Sequence, residues 1–229
     1  MAEQNGAHRR FWCAAALGAA LLAAVLALAG CGGAAAPKAS VDRSSTAGRP
    51  SPAPTWDGVT QQRQFAPYDA SGTLTVHATT GGSGGCFATS ISVPLAGVYR
   101  CLEGNSILDP CFAPAKDTSP PTVACFDSPW SGARVITVTG DFPKYLPVLM
   151  AGNPWGIQLQ NGVRCVSVTG AVPAYNGVNL TYQCDGQNMA GIDTDANGNI
   201  TAHYGPLDGP LIDVGVVTAW RGRSFRLSG

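Results

Sequence analysis

The residues best placed to do chemistry form four small groups. Asp193-Thr194-Asp195-Ala196-Asn197-Gly198-Asn199-Ile200 matches the first half of a calcium loop. Oxygen donors fall at positions one, three and five, Gly at six and an aliphatic at eight. Asp193, Asp195 and Asn197 are therefore candidate ligands of a weak calcium site. Tyr204 stands where such a loop places its bidentate Glu, which removes much of the affinity. The competing reading is a polar hairpin tip, with Ile200 and Ala202 opening the return strand. Glu103 and Asp109 are the second group, and Glu103 is the sole glutamate beyond Glu3. Two such carboxylates across a cleft could serve a glycosidase. Asp109 precedes Pro110, however, where a turn role is usual. The third group, Gly81-Gly82-Ser83-Gly84-Gly85, spells G-x-S-x-G. A nucleophile elbow needs a strand before it and a helix after it. The surrounding residues predict a Gly-rich loop leading into a strand. No catalytic residue is assigned on this basis.

Cysteines form the fourth group. The chain holds 8 in 229 residues. Cys13 lies in an uncharged run and Cys31 just beyond it. The remaining six are Cys86, Cys101, Cys111, Cys125, Cys165 and Cys184. No C-x-x-C pair exists, and only His77 and His203 follow the leader, so zinc spacing is absent. An even set in an exported chain reads as three disulfides. Many pairings are open in principle. The strand pattern favours the sequential one. VRCVSVT at 163–169 and VNLTYQC at 178–184 read as hairpin partners that set Cys165 against Cys184. Cys86 and Cys101 flank the turn at Pro94–Gly97, which leaves Cys111 with Cys125. Each closed loop is short, so each bridge would contribute on the order of 3 kcal/mol.

The leader and tether set where these groups work. His8, Arg9 and Arg10 precede an apolar run from Phe11 to Ala29. A basic start before an apolar core is how a secretory signal begins. Leu28-Ala29-Gly30-Cys31 then resembles the lipobox of bacterial lipoproteins. The resemblance implies cleavage before Cys31 and a diacylglyceryl group on its thiol. Two acyl chains give stable anchoring where one does not. Residues 1–30 are thus expected to be the signal peptide. Residues 31–65, rich in Ala, Gly, Ser, Pro and Thr, are expected to be a disordered tether. Such a segment would reach roughly 30 Å. The expected location is the outer face of the cell membrane.

Residues 66–229 predict the folded part. Short β-branched or alternating runs recur about every ten residues, as in Thr73–Thr79, Phe87–Val93, Arg134–Thr139 and Leu211–Trp220. Asn161-Gly162 between two such runs is a strong hairpin signal of the type I′ kind, and Asn176-Gly177 and Asn197-Gly198 are weaker copies. Short helical turns are conceivable only near Asn105–Leu108 and Lys144–Met150. The expected fold is mainly β, a single disulfide-stapled β-sandwich or barrel-like domain. Trp130 and Trp155, each after Pro, are expected to anchor the core.

The order Tyr99-Arg100-Cys101, Gly104-Asn105-Ser106, Asp109-Pro110-Cys111-Phe112, Ala124-Cys125, Ser128-Pro129-Trp130, Val163-Arg164-Cys165 and Tyr182-Gln183-Cys184 resembles a secreted or lipid-anchored actinobacterial domain of uncharacterised function. It covers most of residues 86–185. The resemblance implies export and disulfides and carries no activity.

Composition excludes other classes. Lys+Arg and Asp+Glu are each 14, and charged residues are 12% of the chain, about half the usual share. Removing the leader with Arg9, Arg10 and Glu3 leaves 12 basic and 13 acidic residues. A near-neutral domain without a basic stripe is a poor nucleic-acid partner. The expected function is a non-catalytic binding or accessory module, partnered by the membrane through its lipid and by an envelope ligand or protein. No cofactor is expected beyond weak calcium. The alternatives are an envelope hydrolase on carbohydrate or peptide and a carrier of an apolar envelope molecule.

Overall fold

A computed structural model describes residues 56–146 and 152–223. The leader, Cys31 and most of the expected tether lie outside them. The described residues are all-β, with 14 strands and no helix. They belong to one compact unit, Pro50–Gly229.

Two closed barrels make up this unit. The first runs β2 (Ala78–Thr89), β3 (Val98–Glu103), β4 (Ser106–Phe112), β5 (Thr122–Cys125) and β6 (Ala133–Val138). It is a meander of antiparallel neighbours that closes where β2 meets β6 in parallel. The second takes β7 (Gly156–Leu159), β8 (Arg164–Ser167), β11 (Tyr182–Cys184), β12 (Asn188–Thr194), β13 (Ile200–Pro206) and β14 (Ile212–Gly222). Here β7 pairs back on β14. The two-stranded ribbon β9 (Ala174–Tyr175) and β10 (Val178–Asn179) is separate from both sheets. Of the sandwich and barrel alternatives, the barrel forms, and closure removes most exposed strand edges.

The Gly-rich segment is not the loop expected. Gly81 to Gly85 lie inside β2, which pairs on both edges. Glycine is required by closeness: a Cβ on Gly84 would sit 1.8 Å from the Leu102 carbonyl oxygen. One on Gly81 would meet Ile136 Cγ2 at 2.8 Å. Bulges between Thr80 and Ser83 and between Cys86 and Ala88 bend the strand around a small barrel. Composition reads as a loop, while the need is for a bare backbone at a tight corner. Asn105–Leu108 is likewise a hairpin tip entering β4, without helix.

The end of the expected tether is also corrected. β1 (Gln61–Phe65) pairs in parallel with β14, so the folded unit begins before residue 66. Trp56 lies flat over Gly215, where a Cβ would be 2.1 Å from its ring. The buried Thr60 donates Oγ1 to Val216 O at 2.8 Å and accepts from Ile200 N at 2.8 Å. Gln61–Gln64 look like linker because an edge strand held by backbone hydrogen bonds needs no apolar side chains.

Three buried clusters hold the unit together. Barrel one is filled by Val123, Ile136, Val138, Tyr99 and four half-cystines. Barrel two is filled by Ile157, Leu159, Tyr182, Ile200, Val216 and alanines of β12 to β14. The third cluster lies between them. Phe65, Phe112, Phe126 and Trp155 meet there, with ring centroids 5.0–6.4 Å apart. Trp155 is 1% exposed, as expected of a core anchor. Burying such a ring stabilises by about 3 kcal/mol. Trp130 instead packs half-buried against Trp220 at 4.8 Å.

Three disulfides join Cys86–Cys101, Cys111–Cys125 and Cys165–Cys184, the sequential pairing. In each, the two residues stand directly opposite on neighbouring antiparallel strands. The turns are less as expected. Gly162 has φ +86, but Asn161 stays at negative φ, and Gly162 N donates to Leu159 O. That is a type I turn closed by a left-handed Gly. The two-residue turn with positive φ at both centres is Asn176-Gly177, at 48° and 82°, joining β9 to β10.

Candidate functional site

The four groups singled out in the sequence are not gathered into one site. Glu103 ends β3, accepts from Gly82 N and Arg134 Nη2, and is held below the ordinary carboxylate range chiefly by Arg134. Asp109, with a side chain 2% exposed, accepts from Ser90 Oγ and Ile91 N and pairs with Arg100 Nε at 3.1 Å. Burial pushes its carboxyl up, against those same partners. Arg100 also lies over the Phe87 ring at 5.7 Å. Each acid thus has its own cation, and the two share no hydrogen-bond partner. Their geometry is that of structural pairs.

Asp193, Asp195 and Asn197 sit on the β12–β13 hairpin. Asp195 caps the tip: its Oδ1 accepts from Asn197 N and Asn199 N at 2.8 Å each, and its Oδ2 from Asn199 Nδ2. Those bonds hold its carboxyl below the ordinary range. Asp193 turns instead to His203, with Oδ2 2.8 Å from Nε2. The two carboxylates are committed to different partners, as in a hairpin tip. Cys101, Cys111 and Cys125 lie close together, but all are in disulfides.

What the sequence did not single out is the cluster around His203. On the outer face of barrel two, Gly191, His203 and Asp213 stand side by side across β12, β13 and β14. His203 Nδ1 meets Asp213 Oδ1 at 2.7 Å while Nε2 meets Asp193. Asp193 above all raises the imidazole pKa above its usual value; burial opposes it, and Asp213 adds to the rise. Gly191 lets the β9–β10 ribbon lie on the sheet, since a Cβ there would be 2.5 Å from Val178 Cγ1. Beside the ribbon opens a depression of about 700 Å³, lined by Asn153, Asn179, Thr181, Ile192, Asp193 and His203 among others.

Asn153 belongs to two further depressions. One, about 20 Å³, lies among Ser92, Pro154, Ser167, Thr181 and Tyr182. The other, about 300 Å³, is lined by Gln64, Ser92, Pro94, Tyr145, Trp155 and Arg221 among others. Residues before β3 and residues of barrel two contribute to both. A groove of mixed polar and apolar lining therefore follows the seam between the barrels, with Asn153 at its centre. Three buried atoms of residues that border it, Ser92 Oγ, Ser167 Oγ and Trp155 Nε1, make no hydrogen bond. Buried polar groups are normally paired, and each left alone costs about 1–3 kcal/mol. Tyr182 marks the difference: its buried hydroxyl donates to Pro154 O at 2.7 Å, and burial pushes its pKa up.

Neither Glu103 nor Asp109 lines the groove. The sequence holds only a faint sign of the site, Asn153 and Trp155 around Pro154 and the lone His203. These become a site only when β7, β13 and the segment before β3 are brought together. Comparison of the chain with protein-family models, curated proteins and solved structures finds no match.

Proposed function

We propose that the chain is a lipid-anchored cell-envelope protein acting as a non-catalytic binding module, with its ligand taken in the seam groove. Cys31 carries the anchor, and the residues between it and Trp56 form the tether. One observation carries the binding reading: three depressions share Asn153 and follow one seam of the folded unit. A concave surface of this kind lets a ligand make many contacts at once. The hydrolase alternative has no such support, because Glu103 and Asp109 are each neutralised by an arginine outside the groove. The carrier alternative lacks a hollow, because both barrels are filled by their own side chains.

Two experiments test this reading. Immobilised exported chain is expected to retain a component of an envelope extract, and Asn153→Trp, which fills the shared point of the groove, to lose it. Equal retention by both overturns the groove as the site. For the anchor, Cys31→Ala is expected to move the protein from the membrane to the soluble fraction. A variant that stays membrane-bound like the parent rules the lipid out.

A further inference from the structure

We infer that the two bridges of barrel one form a thiol–disulfide exchange site for an external dithiol, entered at Cys86 and left at Cys125. The bridges meet inside the barrel. The Sγ atoms of Cys101, Cys111 and Cys125 all lie within 4.8 Å of one another. Register explains the meeting. Cys101 stands opposite Leu108 across β3 and β4, and Cys111 Sγ lies 3.5 Å from Leu108 O. Cys101 and Cys111 therefore bring their sulfur atoms together from adjacent strands. Each is bonded on its far side, to Cys86 on β2 and to Cys125 on β5. The four cysteines make one row across four neighbouring strands.

Exposure gives the row a direction. Cys86 is 8% exposed, Cys125 2%, and Cys101 and Cys111 0%. Cys86 also sits at the bulge where β2 slips against β3. A broken ladder opens locally more readily than a continuous one. One sulfur of the dithiol therefore attacks Cys86 Sγ. A bond forms between them, the Cys86–Cys101 bond breaks, and its electron pair stays on Cys101. That thiolate is enclosed by apolar side chains, where a charge is costly. The second bridge lies within its reach. Attack on Cys111 Sγ forms Cys101–Cys111, breaks Cys111–Cys125 and leaves the electron pair on Cys125.

The charge has then moved from the middle of the barrel to its edge, since Cys125 borders a depression of about 430 Å³. The second thiolate of the dithiol attacks its own sulfur-bound partner, closes a cyclic disulfide and releases Cys86. The dithiol has lost two electrons and two protons, and the chain has gained them as thiols at Cys86 and Cys125. Barrel two supplies the contrast. Cys184 is 6% exposed, much as Cys86 is, but its cluster holds no cysteine besides Cys165 and Cys184.

Limiting dithiothreitol, added in mild alkali to the exported chain after iodoacetamide has blocked any free thiol, tests the inference. The reaction is stopped with acid, new thiols are capped with N-ethylmaleimide, and peptic fragments are mapped by mass spectrometry. Molecules that have lost one bridge of barrel one are expected to carry caps on Cys86 and Cys125 and a new Cys101–Cys111 bond. In mild acid thiolates are scarce, so a limiting water-soluble phosphine is expected to leave caps on Cys86 and Cys101 instead. In barrel two only the native bond, or caps on both Cys165 and Cys184, is expected. Caps confined in alkali to Cys86 and Cys101, or to Cys111 and Cys125, overturn the exchange. Bonds from barrel one to Cys165 or Cys184 also overturn it, since they report shuffling in an unfolded chain. A new Cys101–Cys125 bond overturns the exit at Cys125.

Discussion

The two barrels solve the same packing problem with different means. Barrel one has five strands, two disulfides and a core of nine buried residues, of which four are cysteines. Barrel two has one disulfide and a core of eleven buried residues led by Ile157, Leu159, Tyr182 and Ile200. The smaller barrel places half-cystines where the larger places aliphatic side chains, and it keeps a buried ion pair, Arg100–Asp109, beside β2. Small cores hold little apolar area per residue, so covalent bridges take over part of the stabilisation. The larger barrel can spare its outer face. There Gly191 and Gly215 receive the β9–β10 ribbon and Trp56, and His203 bridges two strands.

That contrast is open to attack at several points. The largest effect is expected from Gly84→Ala. A Cβ 1.8 Å from the Leu102 carbonyl cannot be absorbed by a side-chain shift, and the β2–β3 pairing must open. The loss should be about 3 kcal/mol or more, read as a lower urea midpoint. A midpoint equal to the parent's would show that barrel one does not need the bare corner. Removing Cys111–Cys125 with a double Ala substitution should cost about 3 kcal/mol from chain entropy, and more from the emptied core. The same change at Cys165–Cys184 should cost less, because barrel two has a larger apolar core. Equal losses in calorimetry would contradict the division of labour drawn above.

Asp109→Asn leaves the Arg100 cation half of a buried pair, an expected cost of about 3 kcal/mol, again by urea. A neutral result would make that pair dispensable. Gly191→Ala should be milder and local. Its Cβ meets Val178 Cγ1 at 2.5 Å and Asn179 O at 2.7 Å, so the ribbon lifts while the barrel stays closed. The check is hydrogen exchange, fast in residues 174–179 and unchanged in β13. Loss of protection throughout barrel two would mean that the ribbon is integral to it.

The smallest effect concerns pH. The pKa of His203 is raised in the fold by Asp193 and Asp213. Its native form therefore binds a proton more tightly than the unfolded chain does. The contribution is fully present below the ordinary histidine pKa and fades as pH climbs through the raised value. For a pair whose carboxylates are largely exposed, about 0.5 kcal/mol is at stake. The parent should lose that much stability between mildly acid and alkaline pH relative to His203→Gln. Parallel pH profiles for the two proteins would remove His203 as a protonated bridge.

The sequence carried much of this architecture in local terms. Alternating β-branched runs between Gly and Asn turns specify strands, and an even set of cysteines in strand pairs specifies cross-strand bridges. Cys165 and Cys184 could be matched because only a short connection separates their strands. What local reading lost was whatever depends on distant neighbours. Gly81–Gly85 looks like a loop until Leu102 and Ile136 approach it. Gln61–Gln64 looks like a tether until β14 supplies its hydrogen bonds. Asn161-Gly162 looks like a type I′ turn, yet that turn falls at Asn176-Gly177.

The candidate site shows the same limit more sharply. Residue types alone fixed a neutral, disulfide-bridged β fold, since composition, turn chemistry and cysteine parity act through neighbours along the chain. Tertiary structure alone decided that Ser92, Asn153, Ser167 and Trp155 share a groove, and that Asp193 answers to His203 instead of to Asp195. Those meetings span strands far apart in sequence, and burial leaves the polar atoms unpaired only once two barrels have closed against each other.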